Sequence, residues 1–366
     1  MTAPARAPSS GVSASTSYEV KPADPYEARE QALAAWREGG LGGDQEPEIS
    51  RQRYDWFYLR NPQGMARLNL LFNGEASLAG SLGIGCRDFY IGGERALAGA
   101  LVDFVVSPRH RSAFPALTLQ RKGREHALRS MDLLYGLPGD SAVGVCKRLT
   151  SHVSLEFTRF ARVLRYRSYI ERLLPKFLAA PTALVVDTLD FCRIRARLLS
   201  SRFRGEWAAG FDESFDALWA EVDKDNLCIG TRDRKFLQWR FRERPGCDYR
   251  IFAVRRKSDA SLRMYFVCHM SDELLCIDDC LGVGSDSELE QGVLMLCRAA
   301  RKLRAKSLDV HLTGETPLLK ALLRASFTDR GSRPFFAVLG ETLAHRELQA
   351  RASHHTWYVT RADEDT

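Results

Sequence analysis

The residues best suited to chemistry lie in one short run, Val106-Ser107-Pro108-Arg109-His110-Arg111-Ser112-Ala113-Phe114-Pro115-Ala116. The apolar stretch Leu101-Val102-Asp103-Phe104-Val105-Val106 reads as a strand entering it, and Pro115 is well placed near the start of a helix. A strand, a basic turn and a helix start make an anion cradle. The first turn of a helix has unpaired N–H groups and a partial positive charge, so it holds a pyrophosphate, and Arg109 and Arg111 add full charges there.

A duplication shows which elements must position this run. Tyr54-Asp55-Trp56-Phe57-Tyr58-Leu59-Arg60-Asn61-Pro62-Gln63-Gly64 recurs as Phe236-Leu237-Gln238-Trp239-Arg240-Phe241-Arg242-Glu243-Arg244-Pro245-Gly246. Trp56 and Trp239 lie 183 residues apart, as do Pro62 and Pro245, so an aromatic pair, a basic residue and a proline keep one register. Each copy continues with two apolar strands and a long helix, over Pro115 to Ser130 in the first and Glu288 to Leu303 in the second. The alternation predicts an α/β fold of two tandem domains, each a mixed, mostly antiparallel sheet of about six or seven strands flanked by helices. The first domain is expected over 25–170 and the second over 205–345, with a basic, partly helical linker over 171–204. Residues 1–24 read as a disordered arm, and 346–366 as a tail whose Trp357-Tyr358-Val359-Thr360 returns as an edge strand.

A strand followed by Val-x-Pro-x-x-Arg-x-x-Gly-x-Ala and a helix is the acyl-CoA-binding motif of the GCN5-related N-acetyltransferases, and residues 106–116 resemble it. Phe114 stands where the family usually has Gly, whose lack of a side chain lets the backbone approach the pyrophosphate. A phenylalanine there either blocks that approach or points away. The likeness covers most of Tyr54 to Tyr169 and, less closely, Phe236 to Val338, and the tandem arrangement is similar to a bacterial subgroup.

The resemblance implies acyl-CoA (acetyl-CoA) as co-substrate, held by Val105, Val106, Arg109, Arg111, Ser112, Ala113, Phe114, Pro115 and Ala116. Ser141, at the helix after the strand Asp132 to Gly136, falls beside the pantetheine arm. It implies that an amine proton passes to Asp103, with Tyr166 or Tyr169 protonating the leaving thiolate; a salt bridge and core packing are the alternative roles. Phe160 to Tyr169 resembles the closing strand pair of the first domain. In the second copy the matching turn, Gly282 to Glu288, is acidic and has no arginine, so it repels a pyrophosphate and reads as a transferase fold without a cofactor.

The 366 residues, 45% hydrophobic, suffice for two cores. Nine cysteines without a CxxC pair, and His354-His355 without a third ligand, predict no metal site and a reduced cytoplasmic chain. Cys146 reads as a small apolar filler, and Gly80 to Gly85 as a segment between strands and no dinucleotide fingerprint. No stretch reaches the roughly 20 apolar residues that span a bilayer. The net charge of +7 owes much to arginines between the repeats, from Arg159 to Arg204, which suit a phosphorylated ligand, nucleic acid or an anionic membrane face. Leu173 to Leu178 and Ala183 to Val186 add apolar surface for a weak peripheral membrane contact.

Three functions fit. The first is transfer of an acyl group from acyl-CoA to an amine on an amino sugar, a polysaccharide precursor or an amino acid. The second is a non-catalytic double domain that binds a partner in a biosynthetic complex. The third is an aminoacyl-tRNA-dependent transferase acting on a peptidoglycan-type acceptor, whose arginines would track phosphates.

Overall fold

The structure, a computed structural model, describes residues 17–41, 46–148, 152–340 and 342–364. The first half of the chain supplies strands β1 (Tyr18–Ala23), β2 (Arg67–Asn73), β3 (Leu78–Ile91), β4 (Glu94–Val106) and β5 (Leu133–Gly136). Its helices are α1 (Arg29–Gly39), α2 (Pro47–Tyr54), α3 (Ala113–Ala127) and α4 (Asp140–Arg148). Then come β6 (His152–Val163), α5 (Arg167–Ile170) and the long α6 (Lys176–Leu198). The second half repeats the plan with β7 (Phe203–Ala208), α7 (Glu213–Glu221), β8 (Leu227–Gly230), α8 (Arg234–Phe241), β9 (Arg250–Arg256), β10 (Leu262–Ser271) and β11 (Leu274–Gly282). It closes with α9 (Asp286–Lys302), β12 (Ser307–Leu312), α10 (Pro317–Arg324), β13 (Thr328–Leu339), α11 (Leu343–His354) and β14 (Thr356–Tyr358).

All the described strands belong to one mixed sheet, ordered β1-β2-β3-β4-β5-β13-β6-β12-β11-β10-β9-β7, with β8 and β14 beside β3. Among them only β4 with β5, β11 with β12 and β8 with β14 run parallel. The order reveals an exchange. β13, from the second half, pairs with β5 of the first, while β6, from the first half, pairs with β12 of the second. The exchanged strands lie side by side, Phe336 opposite Ser154, and fuse the two sheets. Phe160 to Tyr169 therefore does not close the first domain on itself: Phe160 sits between Val310 and Asp329, and the strand ends at Val163 before α5.

The duplicated motif sits on the axis relating the halves. The Trp56 and Trp239 rings stack 4.8 Å apart, inclined by 18°. Each indole N–H donates to the other's backbone carbonyl, at 2.8 Å from Trp56 and 3.1 Å from Trp239. Both rings are buried in a core shared by the two halves. An indole has one donor and a large apolar face, so the reciprocal arrangement buries both rings with neither N–H unpaired.

Two further expectations change. Tyr18–Ala23 is not part of a disordered arm but pairs antiparallel with β2. Gly80 to Gly85 lies inside β3, not between strands. A Cβ at Gly83 would overlap the Tyr58 hydroxyl and one at Gly85 the Phe57 ring, so these glycines make room for the repeat's aromatics.

Candidate active site

β4 and β5 pair in parallel at Ala98/Leu133, Gly99/Leu134 and Ala100/Tyr135. Beyond Ala100 the strands separate. Leu101–Phe104 and Gly136–Gly139 then border a cavity of about 270 Å³, closed by Gln120 and Arg124 of α3, Ala142 and Cys146 of α4, Leu41 and Phe336. The separation leaves β4 backbone groups facing the gap without a ladder partner from β5.

A break on the other edge of β4 explains its bend. Pairing with β3 jumps from Ser81/Val105 to Gly83/Val102, and Asp103 takes a left-handed φ of 49°. Its side chain holds that conformation in place. Asp103 is 3% exposed and accepts from Arg53 Nη2 at 2.9 Å and from the Tyr58 hydroxyl at 2.9 Å. Burial and the adjacent carboxylate push the Tyr58 hydroxyl well above its ordinary pKa, so it stays a donor.

Arg124 also borders a larger groove of about 1010 Å³ between α3, the end of α4 and the end of β13. Phe114, Leu117 and Leu128 give this groove apolar patches, and Arg121, Arg129 and Arg148 face it against one acid, Glu125. Gln120 and Arg124 are 3% and 6% exposed, yet Gln120 Oε1 and Arg124 Nε have no hydrogen-bond partner among the described residues. The polar side chain beside the Arg124 guanidinium is the Cys146 thiol, and burial lowers the arginine's pKa and raises the thiol's. An uncompensated buried cation and an unpaired buried amide oxygen are costly in an empty fold and useful against a polar ligand.

The expected site residues divide. Val105 and Val106 are buried at the end of β4, and Ser112, Ala113, Phe114, Pro115 and Ala116 form the N-cap and first turn of α3. No side chain caps that helix, so its first N–H groups stay available, Pro115 having none. Phe114 neither enters the core nor sits flush against the backbone: it is 62% exposed and packs 6.0 Å from the Tyr18 ring. Arg111 donates to Gly39 O at 3.2 Å and Arg109 lies 3.9 Å from Glu38, so both guanidinium groups turn towards the end of α1. Ser141 occupies the first turn of α4, next to Ala142. Asp103 lines the cavity. Tyr166 does not: its ring lies near Asp190 and Arg162, and its backbone N–H donates to Asp187.

The corresponding gap of the second half is filled by the chain itself. The Tyr358 hydroxyl donates to Cys280 O on β11, Val359 N donates to Thr313 Oγ1 just past β12, and Thr360 Oγ1 donates to Asp279 at 2.7 Å. Asp363 then pairs with Arg232 at 2.5 Å and with Arg87 at 2.9 Å, all three buried. The start of α9, where an anion would bind, is closed by its own capping box of Ser285 and Glu288, beside Asp286.

No family profile and no curated protein matches this sequence. Solved structures do match the fold. A conserved Enterococcus faecalis protein of unknown function, designated a probable N-acyltransferase, superposes with a TM-score of 0.61 at 10% identity, covering 88% of this chain and 73% of that one. A GCN5-related N-acetyltransferase from Anabaena variabilis gives 0.59 at 13% identity, over 88% and 72%. A tandem protein of the same type from the clavulanic acid biosynthesis pathway gives 0.50 at 11% identity, over 89% of this chain and all of the other. The chain has the tandem GCN5-related N-acetyltransferase fold.

Within this tandem fold, sequence reasoning missed two groups. Gln120 and Arg124 look like ordinary surface residues of an amphipathic helix, and only their four-residue spacing hinted that they share a face. In the second half, His269 Nδ1 lies 2.5 Å from Asp278 Oδ2 in a cavity of about 570 Å³ that Arg244, Arg333 and Arg361 also line. The Asp278 carboxylate raises the His269 pKa to about 10, which makes it a cation at neutral pH and not a base.

Proposed function

We propose that this chain transfers a short acyl group from coenzyme A to an amine acceptor, using the gap between β4 and β5. The observation that carries the reading is a gap lined by Gln120 and Arg124, whose Oε1 and Nε have no hydrogen-bond partner among the described residues, where it meets an arginine-lined groove at Arg124. The groove suits a phosphorylated nucleotide and the gap suits the thioester arm. A cavity of about 270 Å³ holds on the order of nine water-sized groups at about 30 Å³ each. That admits the thioester end and a short acyl chain.

In the reaction the amine nitrogen bonds to the thioester carbonyl carbon and the carbon–sulfur bond breaks. Backbone N–H groups on the open edge of β4 polarise the carbonyl. The amine proton passes through a water to Asp103, which Arg53 and Tyr58 hold as an oriented carboxylate. The thiolate takes its proton from solvent, since Tyr166 stands elsewhere. The second half supports this site by lending β13 to the sheet and carries no donor site of its own.

One observation favours the scaffold reading: the exposed Arg109 and Arg111 lean towards the end of α1, Arg111 donating to Gly39 O, and not over the start of α3. Mass-spectrometric detection of acyl transfer from acetyl-CoA to a panel of amino sugars, nucleotide-linked amino sugars and amino acids decides between them. Transfer that Asp103→Asn slows by about 10²-fold or more supports the enzyme; a protein that binds neither CoA nor acetyl-CoA is a scaffold.

A further inference from the structure

We infer that the outer face of α6, with the turn before it, is an anchor that lies on an anionic lipid bilayer. Among the described residues fifteen large apolar side chains are exposed, and ten of them fall within Tyr169–Leu199, too concentrated for the ordinary scatter of surface apolar residues. α6 buries Ile194 and Leu198 near its C-terminal end and turns most of its other large apolar residues outward. Ala179 and Ala183 are buried, whereas Leu173, Phe177, Leu184, Val185, Leu189 and Leu199 are 58% to 81% exposed.

Charge selects the occupant. Exposed Arg165, Arg167 and Arg172 precede the apolar face, and exposed Arg193, Arg195 and Arg197 follow it. The helix's acids face inward: Asp190 pairs with Arg162 at 2.9 Å and Arg301 at 2.6 Å, and Asp187 accepts from Tyr166 N at 3.0 Å. Glu171, paired with Arg167, Glu290, paired with Arg197, and Asp272 and Glu273, which line one cavity with Arg172 and Lys306, offset part of the outward charge. A second copy docked face to face would oppose arginine to arginine. Leucine and phenylalanine between basic flanks suit acyl chains beneath anionic headgroups. Among the described residues no helix is long and apolar enough to cross a membrane, so α6, about 35 Å long for its 23 residues, lies in the interface plane.

The test is flotation of the full chain with vesicles of phosphatidylcholine alone and with about one-third phosphatidylglycerol, at low and high salt. We expect binding to the anionic vesicles, weakened by salt, and at least a tenfold loss in both Leu184→Glu/Leu189→Glu and Arg193→Glu/Arg195→Glu, with far-UV circular dichroism unchanged. Absence of wild-type binding, or binding that neither variant reduces, overturns the inference. A concentration-dependent dimer in sedimentation velocity that the leucine variant dissolves also overturns it, by assigning the face to a second copy. This inference stands whether or not the chain is a transferase.

Discussion

Replacing Arg124 with methionine should stabilise the ligand-free protein while weakening its hold on donor. The guanidinium is 6% exposed, its Nε is unpartnered, no carboxylate among the described residues pairs with it, and burial lowers its pKa. A methionine of similar length keeps the packing and removes the desolvated charge, which is worth about 1–3 kcal/mol in favour of the variant. At roughly 2–4 °C per kcal/mol, scanning calorimetry should show the apparent Tm rising by roughly 2–12 °C. Saturating CoA should then raise the wild-type Tm more than that of the variant, since the ligand relieves in one what mutation has already relieved in the other. A variant that melts lower than wild type by a similar margin refutes the reasoning, because it would mean that Arg124 is satisfied within the empty fold.

Four further outcomes follow from the same contacts. Trp56→Ala removes the stacked pair and leaves the Trp239 backbone carbonyl without its indole donor, and should cost about 3–5 kcal/mol in urea unfolding, with both halves losing stability together. Gly83→Ala pushes a methyl into the Tyr58 hydroxyl that orients Asp103, so turnover should fall more than the KM for donor rises, and stability should drop by about 1–3 kcal/mol. Asp363→Ala leaves Arg232 and Arg87 buried without their shared carboxylate, and should cost about 3–5 kcal/mol by chemical denaturation. His269, raised to about 10 by Asp278, stabilises the fold fully below its unfolded value near 6.5. That stability is lost as pH rises through 10; a drop on the order of 1–2 kcal/mol, discounted for the ring's partial exposure, should vanish in His269→Gln when Tm is followed from pH 6 to 10.

The sequence disclosed the duplication because Trp56 and Trp239 are fixed by a mutual contact, and a reciprocal contact demands one register in both copies. β4, α3 and β5 were legible because apolar periodicity and Pro115 mark them locally. The strand exchange was not: β6 presents the same alternation whichever sheet it joins, and its choice depends on residues such as Val310 and Ala337 far along the chain. The closing of the second gap was hidden for a related reason. The tail residues Val359 to Asp363 show their role only through Thr313, Asp279 and Arg232, which are distant in sequence. Arg124 and Gln120 were missed because a charged residue on a helix normally faces water, and burial is a tertiary property. His269 and Asp278 come together only once a hairpin brackets them, with His269 opposite Cys276.

Calorimetric titration with CoA and acetyl-CoA of the wild-type protein and of Ala142→Trp tests the central claim most directly. The indole fills the gap between β4 and β5 without altering any charge. Micromolar binding to the wild type, at about −8 kcal/mol, and its loss in the variant are expected. No binding to the wild type, or equal binding to both proteins, would contradict a donor site in that gap.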